Sequence, residues 1–396
     1  MSRIGKVLSL GLALACASGS LVVCGGRTGV TGDATPTADG AAEATSSSGT
    51  CSSLPATACT QAPSVPSGAP ATTISAPHNY AIRSLYLGDT DRSGVPSPLA
   101  WQSFGYNLDG LVTTSTSSNA CTLASAAAAS VQEDGAGGID NSFGENIVPI
   151  FAHIDSSFSQ STNASIDGGR FTLMAYVLGF DDSADNTTTA AGLTGVMLGG
   201  GDYLAVRGAA PTWSAATSWP ILSTSLDCAN TACPAGTDPI AAATARFPRA
   251  FQVTGEFVTG TPALISLSLS VGGQPIALNI EATAISFRPL RPGMVTQGTI
   301  AGALNTAEFV DSLQSVGGYS SSLCYGSALQ SVSQQIGQAS DIVLGDGGTV
   351  SNPSGLPCNA ISIGLGFDAT EIAVPTPSDI VEPAEGGCDC GCDGGS

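Results

Sequence analysis

Two runs of alternating apolar and polar residues constrain the fold of this chain more than any other feature. The apolar positions are Ile265, Leu267, Leu269 and Val271 in the first run and Ile276, Leu278 and Ile280 in the second, with Gly272-Gly273 between the runs. A period of two places the apolar side chains on one face of a strand, and a Gly-Gly pair between two such runs is typical of a tight turn. The sequence therefore predicts an antiparallel β-hairpin with one buried face.

The composition extends this prediction to most of the chain. The 396 residues include 50 Gly and 23 Pro, and only 11% are charged, which favours strands and turns over helices. Near the C-terminus the apolar period becomes helical, first after Asn305, which forms a capping-box-like start with Glu308, and again from Leu329 to Ala339. We predict a mainly β fold, an antiparallel β-sandwich of the jelly-roll or lectin-like type. A small α+β closing segment with two short helices completes it.

The N-terminus has the features of an export signal. Arg3 and Lys6 precede a short apolar run that is followed by small residues, as in a secretory signal. The run is too short to span a membrane. Cys24 is the predicted point of lipid attachment, Cys16 is the alternative, and cleavage after Ala15 without a lipid is a third interpretation. We expect an exported protein that is lipid-anchored in the cell envelope, at the outer membrane, on its periplasmic or its surface face.

Changes in composition divide the chain into four parts. We expect a signal peptide with a lipobox over residues 1–24, a disordered Gly/Ser/Thr/Pro-rich tether over 25–76, a single folded unit over 77–371 and a disordered Cys/Gly/Asp tail over 372–396. Within the folded unit, an acidic, turn-rich segment covers 77–151, the β-sandwich covers 152–300, and the helices and last strand cover 301–371.

The charge balance excludes several functions. The chain has 31 acidic and 11 basic residues, and Lys6, inside the predicted signal, is the only lysine. Nucleic-acid binding needs clustered Lys and Arg to neutralise phosphates, so we expect no nucleic-acid partner. A mature chain without lysine has no Schiff-base or P-loop chemistry. The membrane, reached through the lipid anchor, and a polysaccharide ligand are the partners that we expect.

The acidic segment suggests a calcium site. Residues 89–94 match the first half of a Ca²⁺ loop, but Pro96 and Ala100 break the second half. Other acidic residues beside Gly or Asn would then complete the site. The predicted ligands are Asp89, Asp91, Asp109, Asp134 and Asp140. The alternative is a set of Asx-turns, in which short acidic side chains bind nearby backbone N–H groups. A second acidic loop, residues 181–186, is expected to be the tip of a hairpin.

Cysteine spacing predicts disulfides, as befits an exported protein. Only four residues separate Cys228 from Cys233, so these two should form a local bond. We expect Cys324 to bond Cys358 and to join the second helix to the last strand. Two pairings remain open, a small loop between Cys51 and Cys59 or a bond from Cys121 to either of them. The tail cysteines Cys388, Cys390 and Cys392 have the spacing of a soft-metal site or of an oxidised, disordered end.

Catalytic signals are weak. The two histidines, His78 and His153, are too few for a typical zinc site and are expected to be structural or at the surface. A nucleophile elbow of the Gly-x-Ser-x-Gly type does not occur in the sequence. Trp101, Trp213 and Trp219 would be either sugar-stacking platforms or core residues.

Several blocks together resemble a family of uncharacterised secreted lipoproteins that are common in myxobacteria. The blocks are residues 24–27, 105–110, 134–144, 298–302, 339–342 and 357–367, beginning with Cys24-Gly25-Gly26-Arg27 and ending with Gly364-Leu365-Gly366-Phe367. The resemblance covers most of the chain from about Asn79 to Ala369. It implies an exported lipoprotein of similar architecture and brings no activity with it.

These observations favour a cell-envelope lipoprotein with a non-catalytic binding or structural role. Carbohydrate binding on a Ca²⁺-assisted sandwich is the most specific form of this expectation. The alternative is a secreted hydrolase that acts on polysaccharide through paired carboxylates, since many carboxylates are present and sequence cannot pair them.

Overall fold

A computed structural model describes residues 49–50, 60–72, 76–183, 187–228, 233–271, 274–291, 293–316 and 327–382. The strands are β1 (Gly49–Thr50), β2 (His78–Tyr86), β3 (Leu111–Val112), β4 (Thr172–Leu178), β5 (Ala190–Gly200), β6 (Ile221–Leu222), β7 (Ala245–Val253), β8 (Glu256–Val258), β9 (Ala263–Val271), β10 (Gln274–Arg291), β11 (Met294–Asn305), β12 (Val343–Gly345), β13 (Thr349–Ser351), β14 (Ala360–Glu371) and β15 (Ile380–Val381). The helices are α1 (Val148–Ile154), α2 (Phe158–Asp167), α3 (Tyr203–Arg207), α4 (Pro239–Ala242), α5 (Thr306–Val316) and α6 (Ser327–Gln338). None of the helices in these ranges combines the length and apolar character that a membrane span requires.

One large sheet dominates the molecule. Its strand order is β15-β6-β5-β4-β2-β14-β11-β10-β8-β7, and β9 also pairs with β10. Strand β7 pairs with β5 as well as with β8, so the sheet turns back on itself and its halves enclose one core, as in a β-sandwich. The named pairs are antiparallel except β6 with β15. The mainly β, antiparallel architecture predicted from the sequence is confirmed.

Aromatic side chains fill the core between the two halves of the sheet. The ring centroid of Phe287 lies 4.7 Å from that of Phe257 and 5.7 Å from those of Phe180 and Tyr80. Phe367, on the last strand of the closing segment, packs edge-on against Phe287 at 6.2 Å. These residues come from five distant parts of the chain, so burial of their rings joins the acidic segment, the sandwich region and the closing segment in one core.

The predicted hairpin is confirmed as β9 and β10. Val271 pairs with Gln274, and the register continues to Ile265 opposite Ile280. Ile265 and Leu267 are buried, whereas Ser266 is exposed, as the alternation requires. The two closing helices are also confirmed. The side chain of Asn305 accepts hydrogen bonds from the backbone N–H groups at the start of α5, which is the expected helix cap.

Four segments differ from the expected boundaries. Residues 78–86, placed in the turn-rich segment, form a central strand between β4 and β14. Residues 148–154 and 158–167, which the expected boundaries divide between the turn-rich segment and the sandwich, form α1 and α2. Residues 60–72 and 372–382, assigned to the tether and the tail, are attached to the folded unit. Thr60 exchanges backbone hydrogen bonds with Gly137 and Asn107, and β15 pairs with β6. Local composition did not predict these contacts, because each of them joins residues that are far apart in the sequence.

The disulfide predictions have different outcomes. The local Cys228–Cys233 bond is confirmed. The predicted bond between Cys324 and Cys358 is wrong, because Cys358 is bonded to Cys121, with Cα atoms 5.3 Å apart. The backbone at Thr122 runs parallel to that at Pro357, and this isolated bridge brings the two cysteines together. Cys324 itself lies outside the described residues, as do Cys16, Cys24, Cys51, Cys59 and the three tail cysteines.

Glycines of β14 let the segment around Phe104 lie directly on the strand. A Cβ atom at Gly364 would collide with the backbone of Phe104 and Gly105. We therefore expect Gly364→Ala to lower the free energy of unfolding by about 1–3 kcal/mol, the usual cost of overpacking. Gly337→Ala is the control, because a Cβ there meets open space on helix α6 and should be neutral or stabilising. Equal midpoints for the two variants in urea unfolding would contradict this packing.

Candidate functional site

Four aspartates, Asp109, Asp134, Asp140 and Asp341, form what we call the aspartate cluster. The first three were predicted calcium ligands, and Asp341 follows helix α6. Asp140 and Asp341 are 2% and 7% exposed. The electrostatic effects on the carboxyl of Asp140 come from the other three members, which shows that the loops and the end of α6 bring the four together.

Backbone N–H groups bind the carboxylates of the cluster. Asp140 accepts from the N–H of Leu108 at 2.6 Å, and Asp109 accepts from the N–H of Leu111 at 2.7 Å. Asp134 accepts from both the N–H and the hydroxyl of Thr113, at 2.5 and 2.6 Å.

The remaining contacts reach the closing segment. The amide of Asn352 donates to Asp109 at 2.8 Å, and the N–H of Ser362 on β14 donates to Asp341 at 2.8 Å. Asp109 therefore joins the acidic segment to the loop before β14, and Asp341 joins the end of α6 to β14.

Burial changes the protonation of the cluster. Desolvation, followed by repulsion from the neighbouring carboxylates, raises the pKa of Asp140 well above its usual range. Desolvation raises the pKa of Asp134 to about 7 against the opposing effect of its Thr113 hydrogen bonds, and it also raises the pKa of Asp341. A side-chain hydrogen bond joins Asp134 and Asp140. These two carboxyls can hold one proton between them, as close pairs of acids do.

The other two predicted calcium ligands lie in a separate turn. Asp91 accepts hydrogen bonds from the N–H and hydroxyl of Ser93 and from the N–H of Val95, and these bonds lower the pKa of its carboxyl. The backbone carbonyl of Asp89 accepts from the N–H of Ser97. The Asx-turn alternative is thus confirmed for Asp91, and the expected five-ligand set is not assembled. Calcium binding by Asp109, Asp134 and Asp140 alone stays a prediction.

A different group has the spacing of a metal site. In the described ranges, one set of three His, Cys, Asp or Glu side chains has all its ligand atoms within 4.8 Å of one another, namely His78, Asp182 and Glu371. Nδ1 of His78 lies 2.9 Å from Oε1 of Glu371 and 3.7 Å from Oδ2 of Asp182. The aspartate cluster is spaced more widely than this limit.

Three distant elements supply this group. His78 begins β2, Glu371 ends β14, and Asp182 lies in the connection between β4 and β5. The group was missed because we assigned His78 to structure or surface and residues 181–186 to a hairpin tip. The hairpin is confirmed by the β4–β5 pairing. The register of β2 against β14 pairs Tyr80 with Glu371, and this register brings the carboxylate of Glu371 to His78. No local sequence pattern encodes it.

His78 and Asp182 line a cleft of about 570 Å³. The other walls are residues 70–72, Phe180, and the start of β5. The cleft is open to solvent, so ions and small molecules can reach the carboxylate of Asp182. Because one imidazole and two carboxylates meet here, the arrangement can bind a cation or carry an internal ion pair.

The tryptophans do not form a stacking surface. Trp101 and Trp219 are buried, and Trp219 donates its indole N–H to the carbonyl of Gly201 at 3.0 Å. Trp213 is half-buried against the Trp219 ring, with the guanidinium of Arg83 5.6 Å from its centroid. The core interpretation of Trp101 and Trp219 is confirmed.

Comparison of the chain with protein-family models, with curated proteins and with solved structures finds no match.

Proposed function

We propose that the chain is an exported, lipid-anchored protein of the cell envelope whose folded unit has a structural, non-catalytic role. The observation that carries this proposal is the aspartate cluster. The pKa values of Asp134, Asp140 and Asp341 are strongly raised, and Asp134 and Asp140 accept hydrogen bonds from the backbone N–H groups of Thr113 and Leu108. Acids with raised pKa values inside a cleft would suggest catalysis. Carboxylates that are buried and accept hydrogen bonds from backbone amides instead hold loops together.

The same geometry weighs against the rival hydrolase. Glycoside hydrolysis needs two carboxyls that both touch the substrate. Asp140 and Asp341 are buried, and Asp109 and Asp134 are bonded to Leu111, Thr113 and Asn352. Burial of Trp101 and Trp219 also favours the structural role over carbohydrate binding, because sugar stacking needs exposed rings. A polysaccharide ligand therefore remains the less supported form of the proposal.

The anchor is supported by the sequence of residues 1–24 and has a direct test. Metabolic labelling with a palmitate analogue should mark the wild type and the Cys16→Ser variant but not Cys24→Ser. The physical reason is that the lipid is attached to the first residue of the mature chain, which can be only one of the two cysteines. Label retained by Cys24→Ser and lost from Cys16→Ser would move the anchor to Cys16. A wild type without label would contradict the anchored form of the proposal.

A further inference from the structure

We propose that His78, Asp182 and Glu371 form a binding site for a first-row divalent metal ion of the Zn²⁺ class. The site goes beyond the structural role proposed above, and it does not depend on the aspartate cluster. It rests on the geometry, the supporting contacts and the charge of these three side chains.

The spacing of the ligand atoms fits the ion. Zn²⁺ binds imidazole nitrogen and carboxylate oxygen at about 2.0–2.2 Å, so two ligand atoms of a tetrahedral site lie about 3.3 Å apart. The distances from Nδ1 of His78 to the oxygens of Glu371 and Asp182, 2.9 and 3.7 Å, lie on either side of this value. All three ligand atoms lie within 4.8 Å of one another, so side-chain adjustment would place them at the corners of a tetrahedron, with the fourth corner left for water.

Neighbouring groups hold the ligands in place. The hydroxyl of Tyr80 donates to Oδ2 of Asp182 at 3.3 Å, and the N–H of Gly293 reaches the same oxygen at 3.3 Å. The ring of His78 stacks on Tyr80 and meets the edge of Phe180, with centroids 5.9 and 6.3 Å away. Such outer contacts orient imidazole and carboxylate ligands in metal sites.

Charge and access favour a dication. With a neutral imidazole, the group carries two negative charges, which one divalent ion would neutralise. The side chains of His78, Asp182 and Glu371 are 16%, 18% and 26% exposed, so an ion can enter and still be partly shielded from water. Imidazole nitrogen is a preferred ligand of Zn²⁺ and its neighbours, whereas Ca²⁺ and Mg²⁺ favour all-oxygen sites. A bound ion would join the start of β2, the end of β14 and the β4–β5 connection.

The test uses the full mature chain with Cys388, Cys390 and Cys392 replaced by serine, because the tail cysteines would bind the same metal. Titration calorimetry with Zn²⁺ should show one ion per chain, and Co²⁺ should give visible d–d absorption bands. Glu371→Gln and His78→Ala should each remove the binding and the Zn²⁺-dependent rise in melting temperature. Tyr80→Phe should weaken binding by about 10- to 100-fold, the usual effect of losing an outer contact.

His153→Ala is the matched control, since His153 is an exposed histidine on α1 and should leave Zn²⁺ binding unchanged. Circular dichroism of each variant without metal establishes whether it is folded. If His78→Ala does not fold, Glu371→Gln alone gives the test. Binding by folded Glu371→Gln with the affinity of the parent would overturn the proposal. So would a parent whose bound Zn²⁺ is displaced by an equal concentration of Ca²⁺, or one that does not bind Zn²⁺.

Discussion

Replacement of Cys121 and Cys358 by serine should lower the free energy of unfolding by about 3–5 kcal/mol. The bond spans 237 residues, and closing so long a loop removes a large part of the conformational entropy of the unfolded chain. The bond between Cys228 and Cys233 spans only 5, so serine at both of those positions should cost about 2 kcal/mol by the same reasoning. Urea unfolding followed by circular dichroism gives both values.

Two results would contradict the pairing. One is equal stability of the wild type and the Cys121→Ser/Cys358→Ser variant. The other is a peptide in which Cys358 is joined to Cys324, detected by mass spectrometry of the unreduced protein after proteolysis. Reduction of the wild type supplies a control, because it should lower the stability at least as far as replacement of Cys121 and Cys358 does.

The protein should be less stable at pH 8 than at pH 5. Asp134 binds its proton more tightly in the folded state, where its pKa is about 7, than in the unfolded chain, where it is 3.8. The stabilisation is therefore complete below about pH 4 and is lost as the pH rises through about 7. For Asp134 alone the loss between pH 5 and pH 8 is about 2–3 kcal/mol. Asp140 and Asp341, whose pKa values are also raised, act in the same direction.

Asp140→Asn should flatten this dependence and raise the stability at pH 8. An asparagine keeps an oxygen for the N–H of Leu108, and its NH₂ group can donate to Asp134 in place of the shared proton. Burial also raises the pKa of Glu145 to about 7, so part of the slope should remain. Asp91→Asn is the control, because the pKa of this exposed carboxyl is lowered and it stays ionised from pH 5 to pH 8. The measurement is a series of thermal melts from pH 5 to pH 8 at matched ionic strength. If melting temperature falls with pH equally in the wild type and in Asp140→Asn, this mechanism is contradicted.

Sequence reasoning succeeded where structure is encoded locally. The β9–β10 hairpin follows from alternation around Gly272-Gly273, and α5 follows from the cap at Asn305, because a strand face and a helix start depend on residues a few positions apart. The Cys228–Cys233 bond succeeded for the same reason. Three of the five acidic positions also proved to be neighbours, since Asp109, Asp134 and Asp140 all lie in loops of one segment.

What failed depends on long-range register. Cys324 and Cys358 lie on either side of the second closing helix, which is why we expected them to form a disulfide. The bridge between Thr122 and Pro357 instead brings Cys358 to Cys121. Asp341 is held against β14 by the N–H of Ser362, and Glu371 reaches His78 through the pairing of β2 with β14. These contacts depend on the order of the strands in the sheet. That order cannot be predicted from composition or from the spacing of residues.

Buried aspartates that hold protons fasten the loops of the acidic segment to one another. A ¹³C NMR titration of the aspartate carboxyl carbons, assigned with Asp134→Asn, Asp140→Asn and Asp91→Asn, measures this directly. We expect Asp134 and Asp140 to keep the chemical shifts of protonated or proton-sharing carboxyls at pH 6, where Asp91 is fully ionised. Resonances of Asp134 and Asp140 that titrate near pH 4, as those of exposed aspartates do, would contradict it.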